Sequence, residues 1–220
     1  MGQRISGIIV VVVLLTISEG ALKALLVRQD KARWCLPHAQ LNSEEPLRKC
    51  AERVVSALAG IKVDYLEQLY TFGNKIPPSG PRVIEVAYYG LVPSVLLHPE
   101  AMADRSRINW FGMDERPQMV DGHGQIVKAA VERLRGKLAY TAVGFELLQE
   151  SFTLAELQNL YEIILGKVLD KRNFRKKIFD LGILEPTNQR ARGRGRPALL
   201  YRFKLEVFKQ IEAKGDIFQF

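Results

Sequence analysis

The sequence predicts an α+β protein in two parts: a mixed sheet with flanking helices over residues 1–138, then a helix-turn-helix closed by a basic hairpin over 139–220. Three observations carry this. Apolar runs rich in β-branched residues dominate the first part. Two capped helical periodicities, followed by strand alternation, occupy the second. Charge is also uneven: the net charge is +8, yet residues 151–220 hold 14 Lys plus Arg against 8 Asp plus Glu, and residues 1–150 hold 18 against 16. A basic surface concentrated in this way attracts a polyanion, either nucleic acid or an anionic membrane. Composition is that of an ordinary globular chain, 47% apolar and 25% charged in 220 residues, with ample length for a packed core.

In the first part, "GIIVVVVLLTI" (7–17) is too short to span a bilayer as a helix, and its Ile and Val content predicts a buried strand. Glu19-Gly20 turns the chain into a second strand, "ALKALLVRQ", making a hairpin. "MGQRIS" matches the short N-myristoylation pattern, but one acyl chain anchors weakly and no membrane partner is expected. After the irregular "RWCLPHAQL", Ser43 can cap a helix whose first turn accepts Pro46. Leu47, Cys50, Ala51, Val54, Val55 and Leu58 recur at helical spacing, and Gly60 stops the run. Two extended stretches follow, "KVDYLEQLYTFGN" and "PRVIEVAYYGLVPS", then a short one, "INWFGM". Ile126, Val127, Ala130, Val131 and Leu134 mark an amphipathic helix from Gly124 to Leu138. Cys35 and Cys50 lack metal-ligand spacing and are too few for a disulfide framework, so a reducing cytoplasm is expected.

In the second part, Thr153 and Glu156 form a T-x-x-E capping box ahead of Leu154, Leu157, Leu160, Tyr161, Ile164 and Leu165, and Gly166 ends the helix. Asp170 caps "KRNFRKKIFDL", which Gly182 ends. Phe174, Ile178 and Leu181 share one face; Arg172, Arg175 and Lys176 read as the opposite one, with Lys171 in the first turn. Phe179 projects among the basic residues and is expected to pack under a neighbouring hairpin. That hairpin carries Arg190, Arg192, Arg194 and Arg196 interleaved with Ala and Gly, then returns through "ALLYRFK" with strand alternation. Glycines permit close approach to a duplex, and arginines suit phosphates or a narrow minor groove. Helix, turn, basic helix and Arg-Gly hairpin together describe a winged helix-turn-helix for double-stranded DNA.

The helix near residue 50 holds a second signal. Ala39, Glu45, Arg53 and Gly60-Ile61 keep the register of the Nudix box: Gly, five residues, Glu, seven residues, Arg-Glu-aliphatic, any residue, Glu-Glu, any residue, Gly-aliphatic. The "LP" before it matches too, but Val54, Ala57 and Leu58 stand where the three acids of the second half belong. Nudix hydrolysis of a diphosphate needs clustered carboxylates to hold divalent cations, which neutralise the phosphates and activate water. Val, Ala and Leu can do neither. We therefore expect no catalytic residues, no metal site and no cofactor.

With "RVIEVAYYGLV", "ERLRGKLAYTAVGFELL", "FTLAELQNLYE", "LDKRNFRKKI" and "RGRGRPALLYRF", the chain resembles the Nudix-related transcriptional regulators of the NrtR family along nearly its whole length. The resemblance implies a Nudix-like sensor joined to a winged helix, a homodimer on a palindromic operator, often near NAD metabolism genes, and release of DNA when ADP-ribose binds. Some relatives regulate sugar utilisation instead. "LPHA" stands where the family has "LPGG", so His38 and Ala39 add bulk where glycine backbone approaches the ligand. Arg28, at the end of the second strand, is a candidate cation for the effector. Two other readings stay open: a residual Nudix hydrolase, and a constitutive DNA-binding protein whose Nudix fold only dimerises.

Overall fold

The structure is a computed structural model that describes residues 5–59, 63–73, 82–97, 106–191 and 197–214. It forms two compact units, Met1–Ala130 and Val131–Phe220.

The first unit is organised around β1 (Ile5–Ser18), whose residues Val10 to Leu15 are all fully buried. A strand with no solvent-facing side must be covered on both faces, which explains the unbroken apolar run. β1 turns at Glu19-Gly20, both with positive φ (52° and 74°), into β2 (Ala21–Arg28). Two successive left-handed residues match the twist of a tight hairpin, and the expected hairpin is present. β3 (Trp34–Cys35) pairs with β2, and β4 (His38–Gln40) pairs with β1 through Val10–Ala39. β5 (Tyr65–Phe72) and β6 (Arg82–Leu91) are antiparallel to each other, and β6 runs parallel to β1 from Gly7–Val83 to Leu15–Leu91. β7 (Ile108–Gly112) returns to pair with β2. Among the described residues the mixed sheet therefore runs β3-β2-β1-β6-β5, with β4 and β7 attached to β1 and β2.

Helix α1 (Leu47–Ala59) packs Cys50, Ala51, Val54 and Val55 against Val10, Val12 and Leu14 of β1 and Val86 and Tyr88 of β6. The sequence pattern predicts a cap at Ser43. Instead the backbone N–H of Glu45 donates to Asn42 O (3.2 Å), closing a separate turn, and the helix starts after Pro46, whose carbonyl accepts from Cys50 N (3.0 Å). Gly60 lies outside the described residues. Helix α2 (His123–Lys137) buries Ile126, Val127, Ala130, Val131 and Leu134, as its periodicity predicts.

In the second unit, Thr141 caps a 3-10 turn (Ala142–Leu147), which leads to β8 (Phe152–Thr153) and α3 (Leu154–Leu165). The Thr153–Glu156 capping box is formed in both directions, and Gly166 takes the left-handed conformation (φ 68°). Asp170 caps α4 (Lys171–Asp180) by accepting from Asn173 N (2.7 Å). β9 (Leu184–Ala191) and β10 (Ala198–Phe203) form the hairpin, and β8 adds to β10, giving the order β8-β10-β9. A last helix, α5 (Leu205–Lys214), was not expected from the sequence pattern. It is held by Phe208, which sits 5.7 Å from Phe203, itself stacked on Phe145 at 4.0 Å. The core between α3 and α4 holds Leu157, Leu160, Tyr161, Ile164, Phe174 and Ile178, all at or below 3% exposure.

Candidate functional site

The basic residues read from the sequence gather on two elements. Lys171, Arg172 and Lys176 are exposed on α4. Arg175 departs from the expectation that it shares their open face. Position 175 lies only about 60° around the helix from 178, so its stem follows Ile178 inward: the side chain is half-buried, and its Nε is buried without a hydrogen-bond partner. Arg190 is exposed on β9 and donates from a terminal nitrogen to Pro197 O (3.3 Å), bridging the two sides of the hairpin at its turn end. Arg192, Arg194 and Arg196 lie outside the described residues. Phe179 meets Tyr201 of β10 edge to face at 5.8 Å, so it does pack against the hairpin and fixes α4 to it. Arg202, a further hairpin cation, approaches Glu150 (3.4 Å).

In the first unit, the surviving box residues form a clamp. Arg53 grips Glu45 with two hydrogen bonds (2.8 and 2.7 Å) and also donates to Gln40 O (3.2 Å), tying α1 to β4 and the intervening turn. Ala39, on β4, packs half-buried against the core that α1 covers. Val54 is a core residue at 3% exposure, and Ala57 is exposed. Nothing is described for the Leu58 side chain. Glu45 is committed to Arg53, and among the described residues no group of three His, Cys, Asp or Glu is placed to hold a metal ion. The residues present do not fit the divalent cations that Nudix hydrolysis requires.

The Arg53 guanidinium also depresses the Glu45 carboxyl from 4.5 to about 2. A lowered folded-state pKa means stability fully present above 4.5 and lost as pH falls through about 2. The Glu45 side-chain resonance should therefore titrate near the lower value, and Arg53→Met should return it to the ordinary carboxylate range. An unchanged midpoint in that variant would show that the clamp does not hold the carboxylate.

Arg28 stacks over Trp34 (4.5 Å to the ring centroid) and donates to Ser106 O (2.7 Å) and Lys31 O (3.0 Å). Elsewhere in this unit, a cavity of about 370 Å³ opens where β5 and β6 meet the first turn of α2, lined by Tyr70, Phe72, Glu85, Asp121 and Gln125 among others. His123, 4% exposed, accepts from Leu36 N at Nδ1 (2.9 Å) and faces Glu85 with Nε2 (3.4 Å). His38 bonds Leu36 O through Nδ1 (2.8 Å), and its ring lies 5.9 Å from that of His123. Sequence reasoning missed this arrangement. Its residues come from separate elements and form no motif, although an isolated histidine at the start of an apolar helix was a visible signal.

Comparison with known proteins places both units. Residues 144–203 match the model of the NrtR DNA-binding winged helix domain. The "ADPR responsive transcriptional repressor NtrR" of Acinetobacter baylyi is 33% identical over 202 residues, 88% of this chain and 80% of that protein. The chain belongs to the NrtR family. Its second unit carries the NrtR winged helix, with α4 as the second helix of the helix-turn-helix and β9–β10 as the wing. The crystal structure of Shewanella oneidensis NrtR complexed with a 27mer DNA superimposes with a TM-score of 0.81 at 30% identity, covering 92% of this chain and 95% of that one. A MutT/nudix family protein from Enterococcus faecalis shares the fold, with a TM-score of 0.74 at 20% identity over 91% of this chain and 89% of its own. The expected architecture, a Nudix-like α+β unit followed by a winged helix, is borne out. Among the described residues no helix is long and apolar enough to cross a membrane.

Proposed function

We propose that this NrtR-family protein is a cytoplasmic transcriptional repressor that binds a palindromic operator as a homodimer and is released by a small-molecule effector. ADP-ribose is the first candidate, and genes of NAD or sugar metabolism are the expected targets. The observation that carries the reading is the match of residues 144–203 to the NrtR DNA-binding domain, with exposed Lys171, Arg172 and Lys176 on its second helix. We divide the chain functionally at 138/139, with sensor before and DNA-binding domain after.

The sensor does not hydrolyse its ligand. Val54 is in the core and Glu45 is held by Arg53, so the box offers a divalent cation no cluster of carboxylates. Arg28 is our assignment for a cationic contact to the effector; its stacking on Trp34 presets the guanidinium without neutralising its charge. Effector control then requires unequal affinity for two dimer geometries, since a ligand that binds both equally shifts nothing.

The test is to titrate ADP-ribose, NAD and common pentoses against a preformed protein–DNA complex, with and without EDTA, while assaying the ligands for hydrolysis with magnesium and manganese. Release of DNA that is indifferent to EDTA, with no turnover, is the expected result. Metal-dependent turnover at ordinary Nudix rates would overturn the sensor reading in favour of a hydrolase. Indifference to every metabolite would favour a constitutive DNA-binding protein with a dimerising Nudix fold.

A further inference from the structure

We propose that Val168, in the turn between α3 and α4, reads the C5-methyl group of a pyrimidine in the major groove and so helps to set the operator sequence. The proposal deepens the DNA-binding reading above and rests on it. It names an apolar contact where the expected ones are cationic.

Among the described residues Val168 is the most exposed large hydrophobic side chain, at 90%. One exposed valine needs no account by itself. What distinguishes this one is the hold on the backbone around it. The carbonyl of Glu162, on α3, accepts from Gly166 N (2.8 Å) and Lys167 N (3.3 Å), and its carboxylate accepts from Leu169 N (2.9 Å). Gln158, one turn earlier, donates to the Leu169 carbonyl (3.1 Å) and to the same carboxylate oxygen (3.0 Å). Gly166 is left-handed, and Asp170 caps α4. The backbone is therefore fixed on both sides of a side chain that stands in solvent. A β-branched side chain is also stiff at χ1, so little freedom is lost when it is covered.

Position names the target. Val168 lies two residues before the α4 cap, and the exposed Lys171 and Arg172 follow it. A helix-turn-helix brings the N-terminal residues of its second helix to the base edges, and the turn that leads into them is carried to the duplex with them. Valine can neither donate nor accept, so it gains nothing from a phosphate. In the major groove the apolar feature is the C5-methyl of thymine; the other edge groups are donors or acceptors. Valine seated over one of those would strip its water and return no hydrogen bond. The contact therefore favours a methylated pyrimidine and penalises unmethylated cytosine. Thymine and 5-methylcytosine present the same methyl group. Glu162 is a positioning residue: it holds the turn and leaves the base contact to Val168.

The experiment selects duplexes from a random pool with the full-length protein, then measures affinity with each thymine replaced in turn by deoxyuridine. Wild type should bind about fourfold more weakly when one particular thymine of a half-site loses its methyl, the ratio expected for one buried methyl group. Val168→Ala should bind the thymine duplex about fourfold or more weakly than wild type and should not distinguish it from the deoxyuridine one. Its affinity for random duplex should be unchanged. Glu162→Ala should lower the thymine-to-deoxyuridine affinity ratio, and Glu162→Gln, whose Oε1 can accept the same two bonds, should retain it. A merely structural role would lower affinity and leave that ratio unmoved. Repeating the selection with 5-methylcytosine in place of cytosine separates the two sources of the methyl. Thymine enriched from the unmodified pool identifies thymine, and dependence on Val168 confined to the methylated pool identifies 5-methylcytosine. Wild type indifferent to every deoxyuridine and to cytosine methylation, or Val168→Ala discriminating as wild type does, would overturn the proposal while the DNA-binding reading stands. Failure to enrich any duplex would fell both together.

Discussion

Replacing Arg172 by alanine should weaken binding to the specific operator by about 1–3 kcal/mol, roughly five- to a hundred-and-fiftyfold, while affinity for random duplex falls much less. Arg172 is exposed on α4, the second helix of the helix-turn-helix, which we propose reads the major groove. Removing Arg192, Arg194 and Arg196 together should act differently. These three lie in the sequence between β9 and β10, and we propose that they engage phosphates or a minor groove; specific and random DNA should then lose affinity alike, and the slope of log affinity against log salt should fall by about 0.9 for each phosphate no longer neutralised. Fluorescence anisotropy against operator and scrambled duplexes over a range of salt measures both quantities. Equal effects of the two variants on specific and random DNA would refute the division of labour. Light scattering on the same samples should report a dimer, because one small winged helix reads only a short half-site.

Phe174→Ala should destabilise the winged helix by about 3–5 kcal/mol, the usual cost of emptying a buried phenyl site. Phe174 is 2% exposed and meets Tyr161 edge to face at 5.6 Å, so it joins α4 to α3 from inside. Phe179, about a turn and a half further and 47% exposed, also makes an edge-to-face pair, with Tyr201 on the wing. Its loss should cost only about 0.5–1.5 kcal/mol, since little area is buried beyond the pair itself. Thermal unfolding of both variants checks the ranking. DNA binding by Phe174→Ala should fail at temperatures where Phe179→Ala still binds; comparable stabilities would mean that α4 is not anchored through Phe174.

The same contrast shows how much of the molecule could be read in advance. Phe174 and Phe179 are five residues apart, and helical geometry alone separates an inward from an outward position. It did not place Arg175, which lies beside Ile178 and is drawn half inside. The box behaved likewise. That Val54, Ala57 and Leu58 cannot hold a cation follows from their side chains, whereas the capture of Glu45 by Arg53 depended on how the turn at Asn42–Glu45 meets α1.

By itself, the sequence determined what a few neighbouring residues can settle: the Glu19-Gly20 hairpin, the Thr153–Glu156 capping box, the Asp170 cap, the glycine stops at 166 and 182, and the buried stripes of α2 and α3. Each is a signal contained within one or two turns of chain, where sterics and local hydrogen bonds choose the conformation. The tertiary structure alone decided the parallel pairing of β1 with β6, the addition of β4 to β1 and of β7 to β2, and the grip of His38 and His123 on Leu36 beside Glu85. Those interactions join residues far apart in the chain. Hydrophobic periodicity says that a strand or helix has a face to bury but not which distant partner will cover it, because that choice is made by packing the whole core at once.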